Sequence, residues 1–510
     1  MPKRITGKDM ESNSDYVWDI YEETPNMSTY LIAFSVMDNF TSIQKQVGNR
    51  NITSWVWAGV RETPNRIPEM NLNATVDILP FFENYFNMKD ELPKIDSMHA
   101  MKGPYGAMEN WGLIVYWSTY FGSLDLIAHE LAHFWVGNLV TCKNWDEYDI
   151  FFDTIINRLL VELFLSGYFF YFIERNICIS FIFRMWMNEA FAEYFAILGI
   201  WSVYRSKQNQ LETGVRGCLD YEIPEKNSFF FRKTDHFTLM RSTREHQPLY
   251  QKGRPWMKTI RYVYARGAMF VRMLESTVGD ENFQIAMRNY INKYKHGNAD
   301  HEQLWGVFEF ANPFQKTNKT KMSTIFNSWI KQEGVPVVRV SRCNENPNCR
   351  HLKQHHFGRD GKNPALSPNV WYIPIQYVIL HHRNGIYELT DRKFFLMPNT
   401  SETVTMDLGE ISSSDSKSSL ILNINSTGTY HVMYDINDWK NIAAALKSNA
   451  SIFNLATKEQ LMMSLELSLG RKEFNHSLVL CIGEYVKVGL RYYKTRMRHQ
   501  KIYAKIANYE

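Results

Sequence analysis

The sequence predicts a multidomain α+β protein: a mainly helical unit, then a β-sandwich, then the beginning of an α-helical region. Three observations carry this. The chain has 510 residues, more than one core organises at roughly 100–200 residues per domain. Apolar residues recur at spacings of three and four in DILPFFENYFNM, DLIAHELAHFWV, EAFAEYFAILGIW and GAMFVRMLESTV, all between about residues 80 and 330. After Gly334-Val335-Pro336 the pattern becomes alternation, in VVRVSR, WYIPIQYVIL, IYELTDRKFFLM and SLILNINSTGTYHVMYD, punctuated by Gly, Asn and Ser turns.

In order along the chain, residues 29–37 (TYLIAFSVM) are an apolar run of β-formers, which with the polar stretch 38–53 reads as a strand passing from one domain to the next. Helical periodicity then holds to about 333, the β-sandwich is expected over 334–436, and helical spacing returns in WKNIAAAL and TKEQLMMSLELSL within 437–510. Segment 148–184 interrupts the helical unit: Phe and Ile supply 15 of its 37 residues. It is a poor membrane span, because Glu162, Glu174 and Arg175 break every window of about 20 residues.

The composition, 45% hydrophobic and 22% charged, is that of a globular protein, and a net charge of +4 over 60.1 kDa is too weak to argue for nucleic acid or an acidic membrane surface as a partner, so no nucleic acid is expected. The basic end KVGLRYYKTRMRHQKIYAK reads as a solvated terminus. Six cysteines are too few for a disulfide scaffold, although Cys343 and Cys349 close a short polar loop within pairing reach in an oxidising compartment. The other four read as buried thiols. Nine Asn-x-Ser/Thr sequons, at Asn26, Asn39, Asn51, Asn73, Asn318, Asn399, Asn425, Asn449 and Asn475, lean toward a secreted protein or ectodomain, while the N-terminus shows no signal peptide or anchor.

The chemistry concentrates in His129-Glu130-Leu131-Ala132-His133. On a helix, residues four apart stand one above the other, so both imidazoles reach one metal ion and the intervening Glu is directed at the attacking water. A catalytic zinc needs a third ligand, and Trp186-Met187-Asn188-Glu189-Ala190-Phe191-Ala192-Glu193-Tyr194 offers one. Upstream, Gly106-Ala107-Met108-Glu109-Asn110 brings a further carboxylate.

These stretches resemble the aminopeptidase N family, which reads W-L-N-E-G-F-A-E-Y and G-A-M-E-N at the corresponding places. The resemblance implies a thermolysin-like catalytic domain over 42–333, preceded by a remnant of an N-terminal β-domain in 1–41. It implies one Zn²⁺ per chain held by His129, His133 and Glu189, with Glu193 outside the ligand set. Glu130 is then the general base, Glu109 the amine anchor within Gly106, Ala107, Met108 and Asn110, and Tyr264, in Tyr264-Ala265-Arg266-Gly267-Ala268 where the family has Y-x-K-G-A, the oxyanion partner. Peptides with a free N-terminus are the expected substrates, a plasma-membrane ectodomain or extracellular setting the expected location, and a homodimer is compatible with the family.

The chain departs from the pattern in two places. The family puts 18 residues between the second His and the ligand Glu, whereas 55 separate His133 from Glu189; deleting 148–184 restores 18, so this segment reads as a foreign insertion, with a natural loop as the alternative, and if translated it predicts weak zinc binding and no activity. Between Glu109 and His129 the chain is about a dozen residues short, with Tyr116-Trp117-Ser118-Thr119 where the family has Y-R-E-T. Two other readings stand beside the aminopeptidase. One is an inactive family member that binds peptides or partners; the other is a zinc endopeptidase, which Glu109 argues against.

Overall fold

The structure, a computed structural model, describes residues 1–8, 17–35, 39–57, 66–100, 106–117, 123–143, 186–210, 225–234, 260–343, 346, 348–357, 369–409 and 418–468. Segment 148–184, sequon Asn475 and the basic end lie outside them. Mixed helices and sheets bear out the α+β class. The chain divides into two compact units, the first comprising Met1–Pro224, Lys252–Val271 and Asp280–Phe310, the second Glu225–Gln251, Arg272–Gly279 and Ala311–Glu510.

The first unit opens with the antiparallel pair β1 (Lys3–Lys8) and β2 (Val17–Tyr21). The apolar run expected as a strand from residue 29 is instead a 3-10 turn at Thr29–Leu31, followed by irregular chain to residue 35. Its apolar side chains do not all face one way into a core: Leu31 is buried whereas Ile32 and Phe34 are exposed. A five-stranded mixed sheet follows, built from β3 (Phe40–Val47), β4 (Arg50–Trp57), β5 (Lys94–Ala100), β6 (Ala107–Met108) and β7 (Leu113–Trp117) in the order β3-β4-β5-β7-β6. The last three strands lie in the stretch expected to be helical, where LIVYW is too short a run for its period to be read.

Between β4 and β5 the long helix α1 (Arg66–Phe86) crosses over, which is what the parallel pairing of β4 with β5 requires. Its aromatic face supplies much of the core. Phe86 stacks on Trp135 with centroids 5.4 Å apart and meets Phe195 edge-on at 4.9 Å. The metal-motif helix α2 (Leu124–Ala132) and α3 (Trp186–Gln210) pack on each other and on α1. After β8 (Val140–Cys142) and α3 come, in chain order, α4 (Lys226–Lys233), α5 (Ile260–Val278), α6 (Asp280–Tyr294), β9 (Gly297–Ala299), parallel to β8, and α7 (His301–Phe308), of which α4 and the part of α5 from Arg272 onward belong to the second unit.

In the second unit the short α8 (Gln315–Asn318) and α9 (Met322–Ile330) lead into strands β10 (Pro336–Arg342), β11 (Cys349–His356), β12 (Ile373–Arg383), β13 (Ile386–Leu389), β14 (Lys393–Met397), β15 (Val404–Asp407), β16 (Ser419–Leu422) and β17 (His431–Met433). These form two four-stranded sheets, one ordered β15-β11-β10-β17, the other β13-β12-β14 with β16 also on β12. Helices α10 (Ile436–Ser448) and α11 (Leu455–Ser468) follow. Cys343 and Cys349 are bonded, and Cys142 is a buried free thiol. Seven sequon asparagines are exposed, but Asn425 is half-buried and accepts a hydrogen bond from Asn454 Nδ2 at 2.6 Å. No helix among the described residues is long and apolar enough to cross a membrane.

Candidate metal centre

Helix α2 begins where Ser123 caps it, its Oγ accepting from the Leu126 amide at 3.4 Å, with Asp125 in the first turn facing the positive end of the helix dipole. From Ile127 onward every residue is buried, so the helix is a core element that carries its imidazoles inward. His133 caps the C-terminal end but keeps helical dihedrals (φ −56°, ψ −26°), so the four-residue stacking over His129 survives.

The three ring and carboxylate atoms that face one another form a nearly equilateral triangle. His129 Nε2 lies 3.0 Å from His133 Nε2 and 3.2 Å from Glu189 Oε2, and His133 Nε2 lies 3.4 Å from that same oxygen. Ligand atoms about 2.0–2.1 Å from a tetrahedral zinc stand about 3.3 Å apart, so this triangle has the dimensions of one face of such a site. The outer nitrogens are already engaged: His129 Nδ1 is 3.1 Å from Glu193 Oε2, and His133 Nδ1 is 3.1 Å from the Val136 carbonyl oxygen. A ring that donates through Nδ1 turns the Nε2 lone pair toward a metal. Among the described residues, His129, His133 and Glu189 are the one group with the geometry to hold a metal ion.

The turn after α2 holds this arrangement through Gly137. At φ +134° its backbone favours glycine, and a Cβ there would stand 2.9 Å from His133 Nδ1. The next residue, Asn138, donates from Nδ2 to the Glu109 carbonyl at 2.9 Å, tying the turn to the loop after edge strand β6. That strand is short because only Ala107 and Met108 pair with Tyr116 and Val115, which leaves Glu109 just beyond the sheet edge and buried.

Burial and mutual repulsion set the carboxylates apart. Glu130, out of water and beside Glu109 and Glu189, is pushed up to about 8 despite the pull of both imidazoles. Burial also raises Glu109, partly offset by His133. For Glu189 burial acts in the same upward direction, but the His133 charge and hydrogen bonds from both rings outweigh it and hold the carboxyl well below its usual range. The imidazoles respond in kind: burial disfavours their charge, yet the Glu189 and Glu193 carboxylates raise His129, and Glu109 and Glu189 raise His133. Glu109 Oε1 and Glu130 Oε2 are buried without a hydrogen-bond partner among the described residues.

Tyr264 comes from α5. Its ring centroid is 5.4 Å from that of His129, and burial together with Glu189, Glu109 and Glu130 raises its phenol well above 10. Gly267, one turn on, permits this approach: a Cβ there would come within 2.4 Å of Ala190 Cβ, beside Glu189. The expected residues His129, Glu130, His133, Glu189, Glu109 and Tyr264 thus lie together, and the 55 residues between His133 and Glu189 do not keep the glutamate from the pair. Gly106, Ala107 and Met108 line the edge strand half-buried, and Asn110 turns its side chain to the Tyr30 carbonyl. Glu193, placed outside the ligand set, is the partner of His129 Nδ1. Tyr30 was not singled out by sequence; the apolar run around it reads as a strand, and only its tertiary position marks it.

A His-Glu-x-x-His helix joined by a glutamate from a second helix, beside the edge of a mixed sheet, defines a metallopeptidase type of centre. The chain belongs to peptidase family M1, whose domain matches residues 70–152 and 179–329; the match breaks inside segment 148–184. Among curated relatives, glutamyl aminopeptidase of Bos taurus is 26% identical over 497 residues, covering 94% of this chain and 44% of that protein. Aminopeptidase N of Oryctolagus cuniculus is 26% identical, covering 96% and 48%, and aminopeptidase N of Bos taurus 26%, covering 100% and 49%. The chain spans about half the length of the curated relatives it matches.

Proposed function

We propose that this chain is a zinc-dependent aminopeptidase that removes single residues from the free N-terminus of peptides. The observation that carries this reading is the triangle of His129, His133 and Glu189 donors with a buried carboxylate, Glu109, on the neighbouring sheet edge. The relatives bearing the name aminopeptidase support it.

Zinc held by His129, His133 and Glu189 would supply Lewis-acid polarisation of the scissile carbonyl and make water acidic enough to attack at neutral pH. Glu130 takes the proton of the attacking water and returns it to the leaving amine. Its carboxyl, high in the absence of a cation, is drawn back toward the basic form by positive charge at the triad. Glu109 pairs with the substrate ammonium, a charge-assisted contact that only a free N-terminus makes, which restricts cleavage to the first residue. The Tyr264 phenol, kept protonated by its surroundings, donates to the oxygen on which negative charge develops, a contribution of about 3–4 kcal/mol in comparable sites.

The catalytic domain over 42–333 with an inserted 148–184, a β-sandwich over 334–436 and a helical domain from 437 belong to the same proposal, as does an extracellular or ectodomain setting, favoured by the exposed sequons and the Cys343–Cys349 bond. The test is turnover of aminoacyl arylamides by the purified chain. The proposal expects cleavage that needs zinc and disappears when the substrate amine is acetylated; cleavage of N-blocked peptides would instead identify an endopeptidase.

A further inference from the structure

Asn425 is the one sequon asparagine among the described residues that is not exposed, and its neighbours fix the way its amide faces. Asn454 Oδ1 accepts from the Thr457 amide at 3.0 Å and from Thr457 Oγ1 at 2.8 Å, so the nitrogen of that side chain is turned the other way. It donates to Asn425 Oδ1 at 2.6 Å. The Asn425 backbone is held as well: its amide donates to Thr457 Oγ1 at 3.0 Å and its carbonyl accepts from Arg272 Nη2 at 2.8 Å. With Oδ1 fixed, Asn425 Nδ2 is left without a hydrogen bond among the described residues and open to solvent.

Asn425 lies in the wall of a cavity of about 510 Å³, within the range of about 300–1,000 Å³ that small-molecule sites take. Glu225, Ser451, Asn454 and Lys458 bring polar groups to it, and Ile452 and Phe453 apolar ones. Such a lining suits a sugar, which has hydroxyls around its edge and C–H groups on its faces. Asn425-Ser426-Thr427 is itself an acceptor sequence for N-glycosylation.

We propose that Asn425 carries an N-linked glycan whose first sugar seats in this cavity. Transfer takes place on the extended chain. Nδ2 bonds to the anomeric carbon of an oligosaccharide carried on a polyprenyl diphosphate; the bond from that carbon to the diphosphate oxygen breaks, its electron pair leaves with the diphosphate, and one amide proton is released. The product keeps Oδ1 as an acceptor, so the bond from Asn454 survives, and folding closes the Asn425 turn and the start of α11 around the sugar. The inference rests on the extracellular setting proposed above.

The test is glycopeptide mass spectrometry on the protein isolated from the organism that makes it, followed through digestion of the native protein by a peptide N-glycosidase. Glycans are expected at Asn425 and at exposed sequons such as Asn318 and Asn399. The one at Asn425 is released at least about tenfold more slowly than the exposed ones, and equally fast once the protein is unfolded in denaturant. Asn425 unmodified while Asn318 or Asn399 is modified overturns the inference and leaves the extracellular setting standing. An Asn425 glycan released from the native protein as fast as the exposed ones overturns its seat in the cavity. A protein without a glycan at any sequon overturns the extracellular setting and this inference together.

Discussion

Each unit buries a cluster of charge, and the two are balanced differently. In the second unit Asp438, fully buried, pairs with Arg342 at 3.1 Å, and Arg350 spends its guanidinium on the Cys349 and Ser418 carbonyls at 2.8 and 3.0 Å. Opposite charge comes from the protein itself, although burial still outweighs Arg342 and leaves the Asp438 carboxyl raised. In the first unit burial is the largest influence on Glu109, Glu130, Glu189 and the two imidazoles, with their mutual charges acting on top of it, and the result is one carboxyl near 8, another far below its usual range and two raised histidines. On the proposed function, the balance in the first unit is completed by cations, a metal ion at the triad and an ammonium at Glu109.

The largest effect that would break this contrast comes from Glu130→Gln. It is expected to keep zinc, since Glu130 is outside the triangle, and to lose about 10²–10⁴-fold in kcat, measured on an arylamide substrate. Unchanged kcat would mean that the raised carboxyl is a by-product of burial. Next in size, Glu109→Gln should cost about 10²-fold in kcat/KM for free-amine substrates, the loss of one buried charge-assisted contact; an equal loss on acetylated ligands would place its role elsewhere.

Gly267→Ala sharpens the comparison by disturbing geometry without charge. Its Cβ would stand 2.4 Å from Ala190 Cβ, so α5 must shift from α3, at about 1–3 kcal/mol in stability by thermal unfolding. The smallest effect belongs to the second unit. Burial and neighbouring Asp435 push Asp438 up from 3.8 to about 6, against Arg342. The folded state then holds this proton more tightly than the unfolded chain, so stability is fullest below about 4 and declines as pH rises through about 6. Asp438→Asn should flatten that decline, by less than about 1.4 kcal/mol per pH unit, in denaturant titrations from pH 4 to 7; an unchanged slope would show that Asp438 does not set it.

How much of this was legible in the sequence follows from the range of each interaction. His129, Glu130 and His133 are readable because a helix fixes their relation within one turn. Glu109 and Glu189 are readable only through the motifs around them, since their place beside the histidines depends on a sheet edge and a second helix far along the chain. The sheet itself was not anticipated: its order depends on parallel pairing across α1, and β6 and β7 are too short to show a period. The run at 29–37 misled, because apolar β-formers there serve a 3-10 turn that offers Tyr30 to the site. Glu193 could be placed near the ligand by its one-turn offset from Glu189, but its bond to His129 Nδ1 needed the fold.

The central claim is that Glu189 completes a metal site with His129 and His133 although 55 residues intervene. Elemental analysis of the purified chain, paired with Glu189→Ala, tests it most directly. The account predicts one zinc per wild-type chain and a substoichiometric amount in Glu189→Ala. Zinc absent from the wild type, or retained equally by both, would contradict it.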